Sequence, residues 1–183
     1  MAGAAGGSLA AQVTLAGGFG FANPGQLLYL RSSSVLTARV RSGQADATAF
    51  ARELDIARSI LSSPPGSPLA IGAGYLGWML DAGGNAIETL RVALEQRVKC
   101  VWFSFGADLG KWVAHVRQYD QMRDTPHRTL IWILVNSVAE AEQATKEWKA
   151  DVLVVQGRPR HLCCGDSHPQ TSSFRDRGRR PWP

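Results

Sequence analysis

Residues 129–156 read "TLIWILVNSVAEAEQATKEWKADVLVVQ", two apolar runs on either side of a polar one. Thr129–Val135 and Asp151–Gln156 are near-continuous and rich in β-branched residues, the pattern of strands covered on both faces. Between them, Ser137 stands three residues ahead of Glu140, the spacing of a capping box, and predicts a helix through 138–148. Strand, helix and strand in that order form a βαβ unit, whose strands run parallel through a right-handed crossover.

The same rhythm extends upstream. Apolar runs with strand character occur at Gly18–Ala22, Leu69–Ala73 and Val98–Ser104. Segments of helical period lie between the runs. In 45–62, Phe50, Leu54, Ala57 and Leu61 fall on one helical face. Ile87, Leu90 and Leu94 repeat the pattern before the third run, and Leu109, Trp112, Val113 and Val116 repeat it after. Alternation of this kind builds a parallel sheet, either an open doubly wound one or an arc of a barrel. The fold class expected is α/β, a partial (β/α)8 TIM barrel of about five parallel strands with alternating helices. A closed barrel typically takes about 250 residues, and the chain has 183. Residues 1–157 form the expected barrel-type domain. Residues 23–44 are too long for an ordinary strand-to-helix link and read as a long loop or insertion. The segment 158–183 lacks periodicity and reads as a disordered basic tail.

Charge sharpens that division. Six of the 20 Lys and Arg residues and two of the 15 acidic ones lie in 158–183, which leaves 14 basic and 13 acidic residues in 1–157. A nearly neutral body argues against nucleic acid as a partner, and only the tail would attract an anion. No apolar run approaches the roughly 18 residues of a membrane-spanning helix. The N-terminus carries no basic region ahead of its small residues, so a secretory signal is not expected. Three cysteines, two of them adjacent at Cys163 and Cys164, cannot all pair. A reduced, cytoplasmic setting is the expectation.

Several motifs are candidate sites. The run Ala16–Gly20, "AGGFG", permits close backbone approach to a ligand, or else ends a helix ahead of a strand. It precedes its strand, which sets it apart from a dinucleotide fingerprint. Gly72–Trp78, "GAGYLGW", lies at the C-terminal end of a strand, where α/β folds bind ligands, and Gly72–Tyr75 is read as a turn. Its small residues suit a flat ligand or close packing. Gln156, ending its strand ahead of Gly157, has the chemistry to hydrogen-bond a ring edge, or simply marks where the strand surfaces. His161, Cys163, Cys164 and His168 lack the separated ligand pairs of a structural zinc site, so no metal is expected. His115 and His127 have no catalytic companion in the sequence and read as solvent-facing.

Four stretches, at 1–21, 68–80, 98–117 and 130–157, together resemble the nitronate monooxygenase (2-nitropropane dioxygenase) family of flavin-dependent barrels. The resemblance rests on their order and spacing and spans most of 1–157 apart from 23–44. It implies bound FMN and the oxidation of alkyl nitronates by O2 to a carbonyl compound and nitrite. The small-molecule nitronate and O2 are then the partners. By the same resemblance, Met1, Ala2 and Gly3 match the end of the family's Pro-Met-x-Gly motif, and Gly74 and Gln156 match flavin-contacting positions. The family's signature after the glutamine carries the histidine that acts as base. Here the match stops at Gly157, followed by Arg158-Pro-Arg160. No residue inherits the catalytic role, and the chain is expected to be an incomplete barrel with weak FMN binding and little turnover. Two other expectations stand beside it: an FMN-dependent enoyl reductase, and a non-catalytic interaction protein with a basic tail.

Overall fold

The computed structural model describes residues 6–24 and 46–156. Met1, Ala2 and Gly3, nearly all of the 23–44 segment, and everything from Gly157 onward, including His161, Cys163, Cys164 and His168, lie outside the described residues.

The elements alternate along the chain as α1 (Gly7–Leu15), β1 (Phe21–Ala22), α2 (Ala47–Ile60), β2 (Leu69–Leu76), α3 (Gly77–Asp81), α4 (Asn85–Glu95), β3 (Val98–Ser104), α5 (Gly110–Gln121), β4 (Leu130–Val135), α6 (Val138–Lys146) and β5 (Val152–Val155). The five strands form one sheet in the order β1-β2-β3-β4-β5, and every neighbouring pair is parallel. Sequential order decides between the two architectures left open by the sequence. A doubly wound sheet reverses its strand order part-way and so carries helices on both faces. Here right-handed crossovers all step the same way, which puts the helices on one side of the sheet. The chain has an α/β fold consistent with an arc of a TIM-like barrel.

Burial follows from this one-sidedness. Ile71, Ala73, Tyr75, Val101, Phe103, Ile131, Ile133 and Val135 alternate along β2, β3 and β4 and join the main core. From the helical side they meet Ala10 and Ala11 of α1, Leu54 and Ala57 of α2, Leu90 and Leu94 of α4, and Val113 and Val116 of α5. The predicted helical faces therefore do the packing: Phe50, Leu54, Ala57, Leu90, Leu94, Trp112, Val113 and Val116 are buried. Each of the leucines, valines and Phe50 among them stabilises the fold by about 1.5–3 kcal/mol. The capping box at Ser137 forms, its hydroxyl accepting from the Glu140 N–H at 3.2 Å. Glu140 reaches back to the N–H of Asn136, one residue ahead of the cap, at 2.7 Å.

The N-terminal end of the sheet is tied by side chains. Arg58 donates to the carbonyls of Pro64, Ser67 and Gln96. Arg97 donates to those of Gly66 and Pro126. Asp151 accepts from the Ile131 N–H at 2.8 Å and from Arg117 at 2.7 Å, and also from Arg128. Asp120 accepts from the N–H and hydroxyl of Thr129. In parallel α/β folds this end serves stability, and the opposite end serves ligands.

Four expectations change. The strand at 69–73 continues to Leu76, so Gly72 and Gly74 lie within β2 and form no turn. Its extension is held by continuous pairing of Gly72 through Leu76 with Cys100 through Ser104. The strand at 18–22 shortens to Phe21–Ala22, because α1 and its C-terminal turn take the residues before it. β5 is not covered on both faces: Val152 is 36% and Val155 77% exposed. Among the described residues no helix follows β5, and of its side chains Leu153 is packed, partly buried, against the core. Finally, His127 is half-buried rather than solvent-facing, with its Nε2 3.2 Å from the Val98 carbonyl. His115 is exposed on α5, as expected.

Candidate functional site at the C-terminal ends of the strands

The sheet face opposite the helices is aromatic. Register sets Phe21, Gly72, Cys100 and Leu130 in one row, and Gly74, Trp102, Trp132 and Val152 in the next. The small residues of these rows let the large ones close over them. A Cβ on Gly72 would stand 2.4 Å from the Phe21 ring, so that ring lies flat on β2. Phe21 meets Trp102 at 5.6 Å and Trp132 at 5.1 Å between centroids, both edge-on, while Phe19 stacks on Trp132 at 5.4 Å. At about 4.8 Å per strand, β1 and β4 would lie about 14 Å apart in a flat sheet. Their rings meet because they reach inward over the small residues between them. The layer holds two buried indole N–H groups, of Trp102 and Trp132, with no acceptor among the described residues. Leaving such a donor unpaired costs roughly 1–3 kcal/mol.

Above this layer, at the C-terminal ends, the start of α3 and the turn after β3 are locked together. The Trp78 N–H donates to the Phe105 carbonyl at 3.0 Å. Gly77 and Gly106 touch backbone to backbone: a Cβ on Gly77 would lie 2.8 Å from the Gly106 Cα, and one on Gly106 would lie 2.9 Å from the Gly77 Cα. Any larger residue at either position would force the two apart. Ser104, the last residue of β3, is buried and donates to the Tyr75 carbonyl at 3.4 Å. Asp81, ending α3, accepts from Lys111 at 2.7 Å and from the Trp112 indole at 2.9 Å. Those two partners, Lys111 first, hold its carboxyl below the usual carboxylate range.

The predicted site residues fall as follows. Gly74 sits mid-sheet on the bare face, half-exposed, and a Cβ there would meet only the Trp102 ring at 3.8 Å. Gln156 is exposed just past β5, its N–H bonded to the Val135 carbonyl at 3.0 Å. By strand alternation it follows Val152 and Val154 on the bare face. Gly74 shares the row of Val152, so Gln156 stands two rows further toward the C-terminal end, three strands away. Both residues belong to one face, and they flank the aromatic layer without touching. The Ala16–Gly20 run resolves as a helix ending: Gly17 takes φ +87°, and the Gly18 N–H returns to the Val13 carbonyl at 2.9 Å.

No protein-family model matches the chain, and no curated protein matches it significantly.

The remaining shifted titratable groups are placed for structure. Burial pushes the Tyr75 phenol well above its ordinary value, and its hydroxyl donates to the Thr89 carbonyl at 2.9 Å. Burial likewise raises the thiol of Cys100, which is inert at that depth. The His127 ring is held below its ordinary pKa, mainly by burial and further by Arg123 and Arg97, against the opposing pull of Val98 and Asp120. It contacts the first residue of β3, at the end of the sheet remote from the candidate site. Among the described residues no helix is long and apolar enough to cross a membrane. Sequence reasoning missed the aromatic layer because Phe19, Phe21, Trp102 and Trp132 come from three strand regions. The alternation of Trp102 and Trp132 with buried neighbours is the signal that would have found it.

Proposed function

We propose that the chain is an FMN-dependent oxidoreductase of the nitronate monooxygenase type, oxidising alkyl nitronates with O2 to a carbonyl compound and nitrite. The resemblance of four ordered stretches supplies the chemistry. The observation that carries it into three dimensions is the one-sided parallel sheet, whose bare face holds Gly74 and Gln156 and opens at the C-terminal ends. Those residues suit a planar group with acceptors on its edge. Gly74 leaves clearance above the sheet, the Gln156 amide offers both a donor and an acceptor, and the layer below carries two unpaired indole donors.

When bound, FMN supplies the electron transfer, and the protein supplies position and exclusion of water. Gly74 and Gln156 would hold the ring, with Met1, Ala2 and Gly3 completing the set by resemblance. A general base must reach the proton it abstracts. His115 is exposed on α5 and His127 lies at the far end of β3, so neither takes that role, and turnover is expected to be weak.

The test is to titrate the purified chain with FMN and then assay O2 uptake and nitrite release with an alkyl nitronate. Weak FMN binding, visible only in the titration, with little or no nitronate-dependent O2 uptake is the expected result. A chain that takes up no FMN at any concentration of the titration would refute the reading. NAD(P)H-dependent reduction of an enoyl thioester without nitronate oxidation would transfer it to the enoyl reductase class.

A further inference from the structure

Among the described residues four non-glycine positions have positive φ: Ser62, Arg97, Phe105 and Lys149. Three of them end helices. Ser62 follows α2, where the Ser63 N–H returns to the Arg58 carbonyl at 3.0 Å. Arg97 follows α4, its own N–H returning to Leu94 at 3.0 Å. Lys149 follows α6, bracketed by the bond from the Ala150 N–H to the Ala144 carbonyl at 3.0 Å. A single left-handed residue is the ordinary way to close a helix.

Phe105 closes no helix. It follows β3 directly, at φ +52°, on the end of the sheet where parallel folds bind ligands. Glycine or asparagine is the usual occupant of this conformation, and a bulky ring there is an outlier. Packing does not account for the ring either, since Phe105 is 51% exposed. The backbone is held there by the bond from the Trp78 N–H and by the Gly77–Gly106 contact. Trp78, the second residue of α3, is 58% exposed. Two large aromatic side chains thus stand at the rim, one on the turn after β3 and one at the start of α3, neither serving the core, and one held at a conformational cost. Strain of this kind gathers at ligand sites.

We infer that Phe105 and Trp78 form the apolar wall of the candidate site and stack on a planar, conjugated ring. The inference rests on the flavin reading for the identity of that ring. The experiment therefore uses two probes, FMN and lumichrome, the bare tricyclic ring without the ribityl phosphate. Equilibrium dialysis measures both against the full chain and its Phe105→Gly, Phe105→Ala and Trp78→Ala variants, with thermal denaturation alongside.

Phe105→Gly is expected to melt at the same temperature or higher, because glycine takes positive φ without strain. Its affinity for both probes is expected to fall roughly three- to tenfold, the loss of one aromatic contact. Phe105→Ala loses the same affinity and gains no thermal stability, and Trp78→Ala weakens binding in the same range. Unchanged affinity in the two Phe105 variants overturns the wall while leaving FMN binding intact. Lumichrome bound where FMN is rejected, and weakened by Phe105→Gly, supports the wall and sinks the flavin reading. No binding of either probe by the unaltered chain overturns both.

Discussion

Replacing Asp151 with alanine tests how the last strand is held. Asp151 stands immediately before β5, its side chain 14% exposed. Its Oδ2 accepts from the Ile131 N–H at 2.8 Å and from Arg117 at 2.7 Å, which ties β5 to β4 and α5. Arg128 contacts the other oxygen but is 70% exposed, and an exposed pair contributes little. The two sheltered bonds involve a charged group, each worth about 1.5–3 kcal/mol. Alanine leaves the Ile131 N–H unpaired and Arg117, itself 25% exposed, with the Thr129 carbonyl as its remaining partner. Solvent entering the gap recovers part of the loss, so Asp151→Ala should cost about 3–5 kcal/mol. Asp151→Asn keeps an acceptor but not the charge and should cost about 2 kcal/mol. Urea unfolding followed by circular dichroism measures both, and a double-mutant cycle with Arg117→Ala should return a coupling of about 1–3 kcal/mol. If Asp151→Ala unfolds within 1 kcal/mol of the parent, about the error of such a comparison, the tie is not a structural one and the reasoning fails.

Three further outcomes follow from the same geometry. Gly72→Ala should destabilise by about 1–3 kcal/mol, since its Cβ meets the Phe21 ring and must displace it; unaltered tryptophan fluorescence and stability would contradict the closed aromatic layer. Tyr75→Phe should cost about 1 kcal/mol through the lost bond to Thr89, read as a lower urea midpoint. For His127 the folded pKa lies below the unfolded value of about 6.5, so the unfolded chain binds the proton more readily. Its contribution is therefore fully present above that value and is lost as pH falls through it toward the folded pKa. His127→Gln should flatten the decline in unfolding midpoint between about pH 7 and pH 5, and an unchanged slope would refute the assignment.

The sequence carried the helices and the direction of the strands, because both depend on local period. Phe50, Leu54 and Ala57 were legible as one face, and the core uses that face. The choice between an open sheet and a barrel arc was not legible, because strand order is a property of the crossovers and of no single residue. Gly72 and Gly74 looked like a turn because glycine usually marks one. Here the glycines make room beneath Phe21 and beside Trp102, a requirement set by side chains far away in the chain. Val152 and Val155 looked buried because β-branched runs usually are, and among the described residues no helix follows β5 to cover them. The left-handed Phe105 left no mark at all, since sequence signals for positive φ are glycine and asparagine.

The sequential strand order has a consequence for how the molecule comes apart. Each strand borders only its predecessor and its successor, so cohesion passes along the sheet from unit to unit as in a stacked array. Loosening would begin at the flanks, at two-residue β1 and exposed β5, and travel inward. The last amides to exchange with solvent would be those of β3, the central strand, with two strands lying to each side of it. A breach in β3 or β4 would do something different: it would divide the array into two pieces, neither with a complete core.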